Sequence, residues 1–394
     1  MIGKGKMYNA IRFRKALLGP DMEPADDVWM TISDGLITAL GTGQGPAGIP
    51  SHPAAVAIPG LVDCHVHLAL SGGADVEQEA RSSDPAARQD LLEANAFRHL
   101  QSGVTTVRDL GSPEDAVLHA VKGGGLGAAR APQIVAAGAI SSPAGHGNFL
   151  SRWATTPAEY EEAINAIAGL GAHWVKLFAT GGVITSGTVP GATQMEPSLI
   201  SEVTAAAHRS GLAAAAHAHG SDGIRNAIEA GVDSIEHFSY LTPDEVALLA
   251  ESRCTLVSTL VATERFVSSD QRETANPETL SKILAHAPHE RAALQQAVRA
   301  RLPLAVGTDA GTTFNPHGFG MQEQALHLNR AGMDPASVLR AMTVNGSRLL
   351  GDGAGYLDVG RRADILCLDA DPLEDLGALY KINEVILVGR PVGK

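Results

Sequence analysis

Cysteine is scarce in this chain: three residues occur among 394, and they stand far apart at Cys64, Cys254 and Cys367. An odd number of widely spaced cysteines argues against a disulfide framework. The sequence also has no uninterrupted apolar run of the length that a membrane span needs, and its basic N-terminal segment lacks the apolar stretch of a signal peptide. We therefore expect a protein of the reducing cytoplasm with no membrane partner.

Positive charge is also in the minority. The sequence has 30 Lys and Arg residues against 43 Asp and Glu residues, which gives a formal net charge of −13. Nucleic acids and anionic membrane surfaces attract basic proteins, so we expect neither as a partner. Hydrophobic residues make up 44% of the sequence, which is enough for a substantial core.

Short apolar runs typical of strands recur along the middle of the chain, and amphipathic helical patterns separate nearly all of them. Strands that alternate with helices indicate parallel βαβ units, and eight such units suggest a closed barrel. The eight runs are 61–68, 104–110, 133–139, 174–179, 212–219, 233–237, 254–259 and 302–309. The clearest helical patterns are 85–101, 157–170, 197–210, 222–230 and 243–251.

The two ends of the chain differ from the middle. Residues 1–59 hold short alternating runs with Gly and Pro turns. After a helical pattern at 335–350, the tail returns to strand-like runs at 355–360, 363–369 and 384–390. We predict an α/β fold: a distorted (β/α)8 TIM barrel over 60–345, with a small β-sandwich domain built from residues 1–59 plus 346–394. A TIM barrel needs roughly 250 residues, which the central segment supplies.

A glycine cluster, KGGGLGAAR at 122–130, has some likeness to a phosphate-binding loop. It lacks both the GK[ST] ending and a preceding strand at the right distance. The cluster therefore predicts a flexible turn between a helix and the third strand.

Side chains that commonly bind metals stand near the ends of the strand-like runs, where a barrel of this kind places its chemistry. Residues i and i+2 of a strand share a face, so His65 and His67 can bind one ion together while Cys64 points away. Cys64 is therefore better interpreted as a small buried hydrophobe than as a ligand. The other candidates at strand ends are Lys176, His217, His237 and Asp309.

Lys176 is the most informative of these candidates because it lies in the apolar run WVKLF. A buried charge without a partner is very costly. One interpretation pairs Lys176 with a carboxylate such as Asp63, Asp109 or Asp309. The other is that the amine has reacted with carbon dioxide to form a carbamate, whose two oxygens can bridge two metal ions. The histidines and the aspartate at the other strand ends favour the carbamate.

Six segments of the sequence carry a specific family resemblance. They are PGLVDCHVHL, GVTTVRDLG, VKLFATGG, HAHGSDGIRNAIEAGVDSIEH, VGTDAG and VGRRADILCLDADPLED. On these motifs the chain resembles the amidohydrolase superfamily. Over most of its length it is similar to the branch of metal-dependent Xaa-Pro dipeptidases and imidazolonepropionase-like hydrolases. The resemblance implies a metal-dependent hydrolase that acts on carbon–nitrogen bonds.

The resemblance also implies ligands for two divalent metal ions, for which zinc suits the donor types best. His65 and His67 would bind one ion with Asp309, His217 and His237 would bind the second, and carboxylated Lys176 would bridge both. A water molecule bound by two such ions would have a pKa of roughly 7, so that at neutral pH it would supply a hydroxide able to attack a scissile carbonyl. Asp309 would then be the catalytic residue that carries the proton to the leaving nitrogen.

Two further histidines are assigned to substrate binding. His219 shares a strand face with His217, so spacing alone leaves open which of the two is the ligand. In the family the first of the pair binds metal, which implies His217 for the ion and His219 for the substrate. His146, which follows the third strand-like run, falls at the same rim and is predicted to contact substrate. We expect Arg108 and Asp109 to form a structural ion pair that braces the site.

The expected reaction is cleavage of an amide bond in a dipeptide, an N-acyl amino acid or a peptide natural product, by an enzyme that forms a homo-oligomer. One alternative is a cyclic amide hydrolase, or an imidazolonepropionase-like enzyme or deaminase with one metal ion; Lys176 argues against it. Another is a non-catalytic scaffold, although no ligand of the family's set is missing. The long segment 261–290 after the seventh strand gives no readable indication of the substrate.

Overall fold

The computed structural model describes residues 7–82, 84–124, 126 and 130–393. Part of the glycine cluster at 122–130, for which the sequence predicts a turn, lies outside the described residues, as do residues 1–6 of the predicted β-domain.

The described residues form two β-sheets, whose strands are numbered in chain order. They are β1 Ala10–Leu18, β2 Glu23–Ser33, β3 Leu36–Thr42, β4 Val56–Pro59, β5 Leu61–Val66, β6 Val104–Asp109, β7 Gln133–Ser141, β8 Arg152–Trp153, β9 Trp174–Phe178, β10 Ala213–Ala218, β11 Ser234–His237, β12 Thr255–Ser258, β13 Leu304–Val306, β14 Ile365–Leu368, β15 Ile382–Leu387 and β16 Arg390–Pro391.

The α-helices of the described residues are numbered in the same way. They are α1 Val76–Ser82, α2 Pro85–Gln101, α3 Ala116–Lys122, α4 Pro157–Gly169, α5 Pro197–Arg209, α6 Ser221–Glu229, α7 Pro243–Glu251, α8 Leu260–Ser268, α9 Pro277–Arg299, α10 Gly320–Arg330, α11 Pro335–Met342 and α12 Val344–Leu350. Several begin with proline, whose missing N–H has no partner to lose in the first turn. Helices α4 and α7 also carry capping boxes at their N-termini.

Eight parallel strands form the barrel, in the order β5, β6, β7, β9, β10, β11, β12 and β13. The last strand returns to the first, and two backbone hydrogen bonds hold this seam. The amide of Asp309 donates to the carbonyl of His65 at 2.7 Å, and the amide of His67 donates to the carbonyl of Ala310 at 2.9 Å. Each strand-like run found in the sequence overlaps one of the eight strands, and only β7 extends beyond its run, to Ser141, so the predicted barrel is confirmed.

Along a barrel strand, side chains point alternately to the hydrophobic core and to the barrel interior. In β9, Val175 and Leu177 belong to the main hydrophobic core, whereas Lys176 points the other way and lines a pocket inside the barrel. Cys64 lies in a small apolar cluster with Val62 and residues of β12 and β13. Burial raises the pKa of the Cys64 thiol, as expected for a structural cysteine.

Both ends of the chain contribute to the second sheet, which has the strand order β16, β15, β14, β4, β1, β2 and β3. The sheet curls, because Leu36 at the start of β3 bridges to Arg362 just before β14. Phe13, Met30 and Ile365 belong to the separate apolar cluster that the curled sheet encloses. The prediction of a β-domain from both chain ends beside the barrel is therefore confirmed.

The junction between the two sheets lies at Gly60, between β4 and β5. A side chain here would collide with Thr105, whose Oγ1 lies 2.1 Å from the position of an added Cβ, so the close approach requires glycine. The boundary predicted between residues 345 and 346 falls within α12, which packs its Leu349 and Leu350 against the barrel strands. The domain limits stay a prediction.

The helix predicted over 335–350 is in fact two helices, α11 and α12, which meet at Thr343. The backbone of Thr343 leaves the helical region, with φ of −136° and ψ of −79°. Its hydroxyl donates to the carbonyl of Leu339 at 2.6 Å, the local bond by which threonine competes with a helix.

The strand predicted at 355–360 is also wrong. Gly355 and Gly360 have φ values of 84° and 82°, which belong to turns and not to a strand. Leu357 makes only an isolated bridge, to Leu18.

Among the described helices, none combines the length and apolar character that crossing a membrane requires.

Candidate active site

One pocket at the C-terminal ends of the barrel strands contains every site residue predicted from the sequence. Its cavity volume is about 60 Å³. The eight residues are His65, His67, His146, Lys176, His217, His219, His237 and Asp309. They come from four barrel strands, β5, β9, β10 and β11, and from the segments that follow β5, β7, β10 and β13, as the barrel prediction requires.

His65 and His67 point their outer ring nitrogens at one carboxylate. The Nε2 atoms of both rings lie 3.3 Å from Oδ1 of Asp309. Nδ1 of His67 donates to the carbonyl of Gly111 at 2.9 Å, so its proton is on Nδ1 and the lone pair of Nε2 faces the pocket. Nδ1 of His65 is likewise held by Glu236, at 2.9 Å from Oε2.

His217 and His237 are held in the same manner. Nε2 of His217 donates to the carbonyl of Gly181 at 3.1 Å, which leaves Nδ1 as the acceptor nitrogen. Nδ1 of His237 hydrogen-bonds with Oγ1 of Thr259 at 2.7 Å, which leaves Nε2 free. The two ring centroids are 4.7 Å apart. Burial, and then nearby positive charge, lowers the pKa of both rings well below the usual value, so both are neutral, as metal ligands must be.

Lys176 is buried at the centre of this group, with 1% of its surface exposed. In the described part of the chain, no carboxylate oxygen lies within 4.0 Å of its Nζ. Nζ of Lys176 lies 5.7 Å from the centroid of the Phe178 ring. Burial, together with the charge of Arg108, lowers the pKa of Lys176 to about 8, against the opposing charges of Glu236 and Asp309. Roughly a tenth of the amine is therefore neutral at pH 7, far more than for an ordinary lysine.

The paired interpretation of Lys176 fails because the three carboxylates proposed for it are engaged elsewhere. Asp63 accepts from the hydroxyl of Thr308 at 2.6 Å. Asp109 accepts from the amide of Leu68 at 2.7 Å, and Asp309 faces His65 and His67.

The sequence missed Glu236, a fully buried carboxylate that supports the site. Its Oε2 holds His65, and its Oε1 lies 2.8 Å from Nη2 of Arg108. The predicted ion pair between Arg108 and Asp109 is therefore wrong, because consecutive strand residues point to opposite faces. Arg108 instead crosses the barrel interior to β11. A charged residue inside the apolar run of β11 was the available signal for Glu236.

His146 and His219 flank the ring of His217, each with a centroid distance of 4.5 Å. Nδ1 of His146 hydrogen-bonds with Oγ1 of Thr185 at 3.0 Å, and Nδ1 of His219 with Oγ of Ser239 at 2.9 Å. In both rings Nε2 remains free to contact a ligand. Their place in the pocket agrees with the predicted substrate role, which stays a proposal.

The backbone is strained at two of the candidate ligands. Asp309 has φ of 53°, His237 has φ of 75°, and Phe238 after it has φ of 45°. Such values cost non-glycine residues of order 1–3 kcal/mol and cluster at functional sites. His65, His237 and Asp309 also bring ligand atoms within 4.8 Å of one another, which makes a possible metal site.

The sequence model of the amidohydrolase family matches residues 56–392. The chain belongs to this family. It is therefore a hydrolase that acts on carbon–nitrogen bonds, and the resemblance found in the sequence motifs is confirmed.

Individual amidohydrolases agree with this assignment. Ochratoxinase from Aspergillus niger is 29% identical over 401 residues, which cover 91% of this chain and 81% of that protein. Its crystal structure has a TM-score of 0.87 at 26% identity, covering 98% of this chain and 96% of that one. A Xaa-Pro dipeptidase with bound methionine also has a TM-score of 0.87, at 25% identity, covering 98% and 99%. Imidazolonepropionase from Salinispora tropica is 26% identical over 376 residues, or 87% of this chain and 86% of that protein.

Proposed function

We propose that this amidohydrolase is a binuclear metal-dependent enzyme that cleaves an amide bond in a dipeptide, an N-acyl amino acid or a peptide natural product. The main support for this proposal is the environment of Lys176. Its amine is buried and has no carboxylate partner in the described residues. The histidines around it have free ring nitrogens that face the same pocket. The similarity to a Xaa-Pro dipeptidase supports a peptide-like bond as the target.

The donor set fits two divalent ions. We assign His65, His67 and Asp309 to one ion, His217 and His237 to the other, and a carboxylated Lys176 to the bridge between them. Each of the four histidines fixes its second ring nitrogen to an oxygen of the protein, the arrangement that presets a metal-binding tautomer. Nitrogen and oxygen donors without sulfur, four from the protein to the first ion and three to the second, suit zinc.

When bound, the ions would supply a hydroxide nucleophile at neutral pH and polarise the scissile carbonyl. Side chains of the protein would perform the other steps. Asp309, in contact with His65 and His67, is placed to accept the proton of the nucleophile and deliver it to the leaving nitrogen. His146 and His219 are placed on either side of His217 to hold the polar groups of the substrate.

A cyclic amide hydrolase, or an imidazolonepropionase-like or deaminase activity, is the second candidate. The similarity to imidazolonepropionase favours it. On this alternative one ion suffices, and the buried Lys176 has no ligand role.

Metal analysis and a substrate screen distinguish the two candidates. We expect zinc-loaded enzyme to bind about two ions per chain and to hydrolyse members of a library of dipeptides and N-acyl amino acids. Reloading in bicarbonate buffer should restore activity faster than reloading in carbon dioxide-free buffer, because the bridge needs a carbamate. One ion per chain, with turnover of cyclic amides alone and no effect of bicarbonate, would favour the second candidate.

The sequence also leads us to propose that the enzyme takes small-molecule or peptide substrates and acts as a homo-oligomer in the cytoplasm. Light scattering of the purified enzyme would measure the number of subunits.

A further inference from the structure

One carboxylate in the pocket has no part in the proposed metal centre. Glu290 lies on α9 and lines the pocket together with Thr263 of α8. Ile283, two helical turns before Glu290 on the same helix, lines the pocket as well, so one face of α9 covers the site. These residues belong to segment 261–290, whose sequence gave no indication of the substrate.

No lysine or arginine forms an ion pair with Glu290 in the described residues. Its side chain is 4% exposed, its Oε2 accepts from Oγ1 of Thr263 at 2.6 Å, and no Lys or Arg nitrogen lies within 4.0 Å. The adjacent Arg291 pairs instead with Glu264, with Nη2 3.0 Å from Oε2. His286 Nε2 is 3.8 Å from Oε2 of Glu290, which is too far for a hydrogen bond.

His286 cannot serve as the counter-charge. Burial lowers its pKa to about 4, so the ring is neutral at physiological pH. Burial, together with the negative charges of Asp309 and Glu264, raises the pKa of Glu290 to about 7, against the hydrogen bond from Thr263 and the positive charge of Arg291. A buried carboxylate in this state gains most from a ligand that brings a positive charge.

The rest of the pocket defines what kind of ligand can bring that charge. Much of its wall is apolar and includes Phe178, Val183, Ile184, Phe266 and Ile283. Over the described residues, no arginine lines the pocket, so a substrate carboxylate finds no guanidinium there.

We propose that Glu290, held in place by Thr263, binds a protonated amine of the substrate while the apolar wall takes the group that carries this amine. The inference rests on the proposed amide hydrolysis and narrows its substrate class to amides and peptides with a positive charge close to the scissile bond. Glu290 is a specificity residue in this scheme, because it contacts the substrate and takes no part in bond cleavage.

A pair of matched probes tests the charge preference directly. Binding of 2-phenylethylamine and of 2-phenylethanol to the zinc-loaded enzyme is measured by calorimetry at about pH 8, where Glu290 is ionised and the amine is protonated. We expect the amine to bind at least about tenfold more tightly than the alcohol. Glu290→Gln should remove this preference, because it keeps the size of the side chain and removes its charge.

The control is Glu202→Gln, the same change at an exposed residue of α5 that does not line the pocket; it should keep the preference. An amine preference that survives in Glu290→Gln, or one that is absent from the wild-type enzyme, would overturn the proposal. If Glu290→Gln does not fold, Thr263→Val removes only the orienting hydroxyl and should weaken the preference. An unchanged preference in that variant would likewise overturn the proposal.

Kinetics then connect the subsite to the reaction. We expect kcat/KM for a dipeptide with a free amino group to exceed that for its N-acetyl derivative by at least about tenfold in the wild-type enzyme, and the two to be similar in Glu290→Gln. If no amide of either kind is hydrolysed, the proposed function fails, while the binding experiment still decides the role of Glu290.

Discussion

At the scale of single residues, the hydrogen bond made by one ring nitrogen of a histidine decides which nitrogen has a lone pair that faces the pocket. A neutral imidazole donates from one nitrogen and accepts at the other. A carbonyl can only accept, so Gly111 fixes the proton of His67 on Nδ1, and Gly181 fixes that of His217 on Nε2. The chain thus presents Nε2 of one ring and Nδ1 of the other to the pocket, although both residues are histidine.

Lys176→Ala tests the carbamate bridge. Without the bridge we expect activity to fall by at least about 10²-fold, the upper range for disturbing a metal site. Short-chain carboxylic acids should restore part of it by supplying two oxygens in the space left open. The control is Lys122→Ala, since Lys122 is on the surface and donates to the carbonyl of Gly169. Wild-type rate and metal content in Lys176→Ala would refute the bridge.

His217→Ala and His219→Ala separate a metal ligand from a substrate contact. We expect His217→Ala to lower both bound zinc and turnover, because its Nδ1 is reserved for an ion. His219→Ala should keep the zinc and change only KM or kcat. Zinc content by atomic emission and steady-state kinetics decide between them. Equal loss of metal in both variants would contradict the assignment.

Asp309→Asn tests the proton carrier. The amide keeps the size and one oxygen donor of the carboxylate but cannot accept a proton. We expect at least one ion to remain while kcat falls by ~10²–10⁴-fold, the range for loss of a general acid–base. Near wild-type turnover with both ions bound would move this role to another residue, with His146 and His219 next to be tested.

At the scale of elements, the Arg108–Glu236 pair ties three strands of the barrel together. Arg108 of β6 donates to the carbonyl of Cys64 in β5 at 2.6 Å and reaches Glu236 of β11 at 2.8 Å. Its guanidinium also lies over the ring of Trp174 in β9, 4.4 Å from the centroid. Because Glu236 in turn holds His65, the position of a candidate ligand depends on strands distant in sequence.

Arg108→Met tests this tie. The change leaves Glu236 buried without its partner, so we expect the free energy of unfolding to fall by about 3–5 kcal/mol. Zinc affinity should fall about 10–100-fold as His65 loses its orientation. The control is Arg12→Met, whose surface pair with Asp27 should contribute no more than about 1 kcal/mol. Urea unfolding of both variants gives the comparison, and similar small losses would show that the tie is not structural.

The sequence predicts a structural feature well when residues close together in the sequence determine it. The barrel strands are predicted by runs of apolar residues, and the start of helix α2 is predicted by a proline. Both signals lie in residues that are neighbours in the sequence. The pairing of Arg108 with Glu236 joins β6 to β11 across the barrel, and no local pattern specifies which strands face each other. Glu290 was missed for the same reason, since only the packing of α9 over the barrel brings it to the pocket.

At the scale of the whole molecule, buried neutral histidines dominate the response to acid. Burial lowers the pKa of His99 to about 3 and of His286 to about 4. The unfolded chain, with histidines near 6.5, therefore binds more protons than the folded protein as pH falls, and stability is lost. Four carboxyl groups act in the opposite direction, because burial raises the pKa of Asp109 and Asp364 to about 6 and that of Asp63 and Glu290 to about 7.

We therefore expect the metal-free protein to lose stability between about pH 6.5 and pH 4. Histidines prevail because the pKa values of His217, His219, His237 and His317 are lowered as well. The unfolding free energy, measured in urea at several pH values in the presence of a chelator, should fall steadily over this range. A stability that is constant or that rises toward pH 4 would show that the carboxyl groups prevail.

The second sheet has a consequence for how the protein is made. Strand β4 pairs with β1 on one side and with β14 on the other, where Ile58 meets Leu366. The ribosome delivers β4 early and β14 only after the entire barrel, a delay of some tens of seconds at about 5–20 residues per second. During that time one side of β4 is an open strand edge, the kind of surface that attracts other chains. The nascent chain therefore has its greatest need for chaperones while it is still on the ribosome.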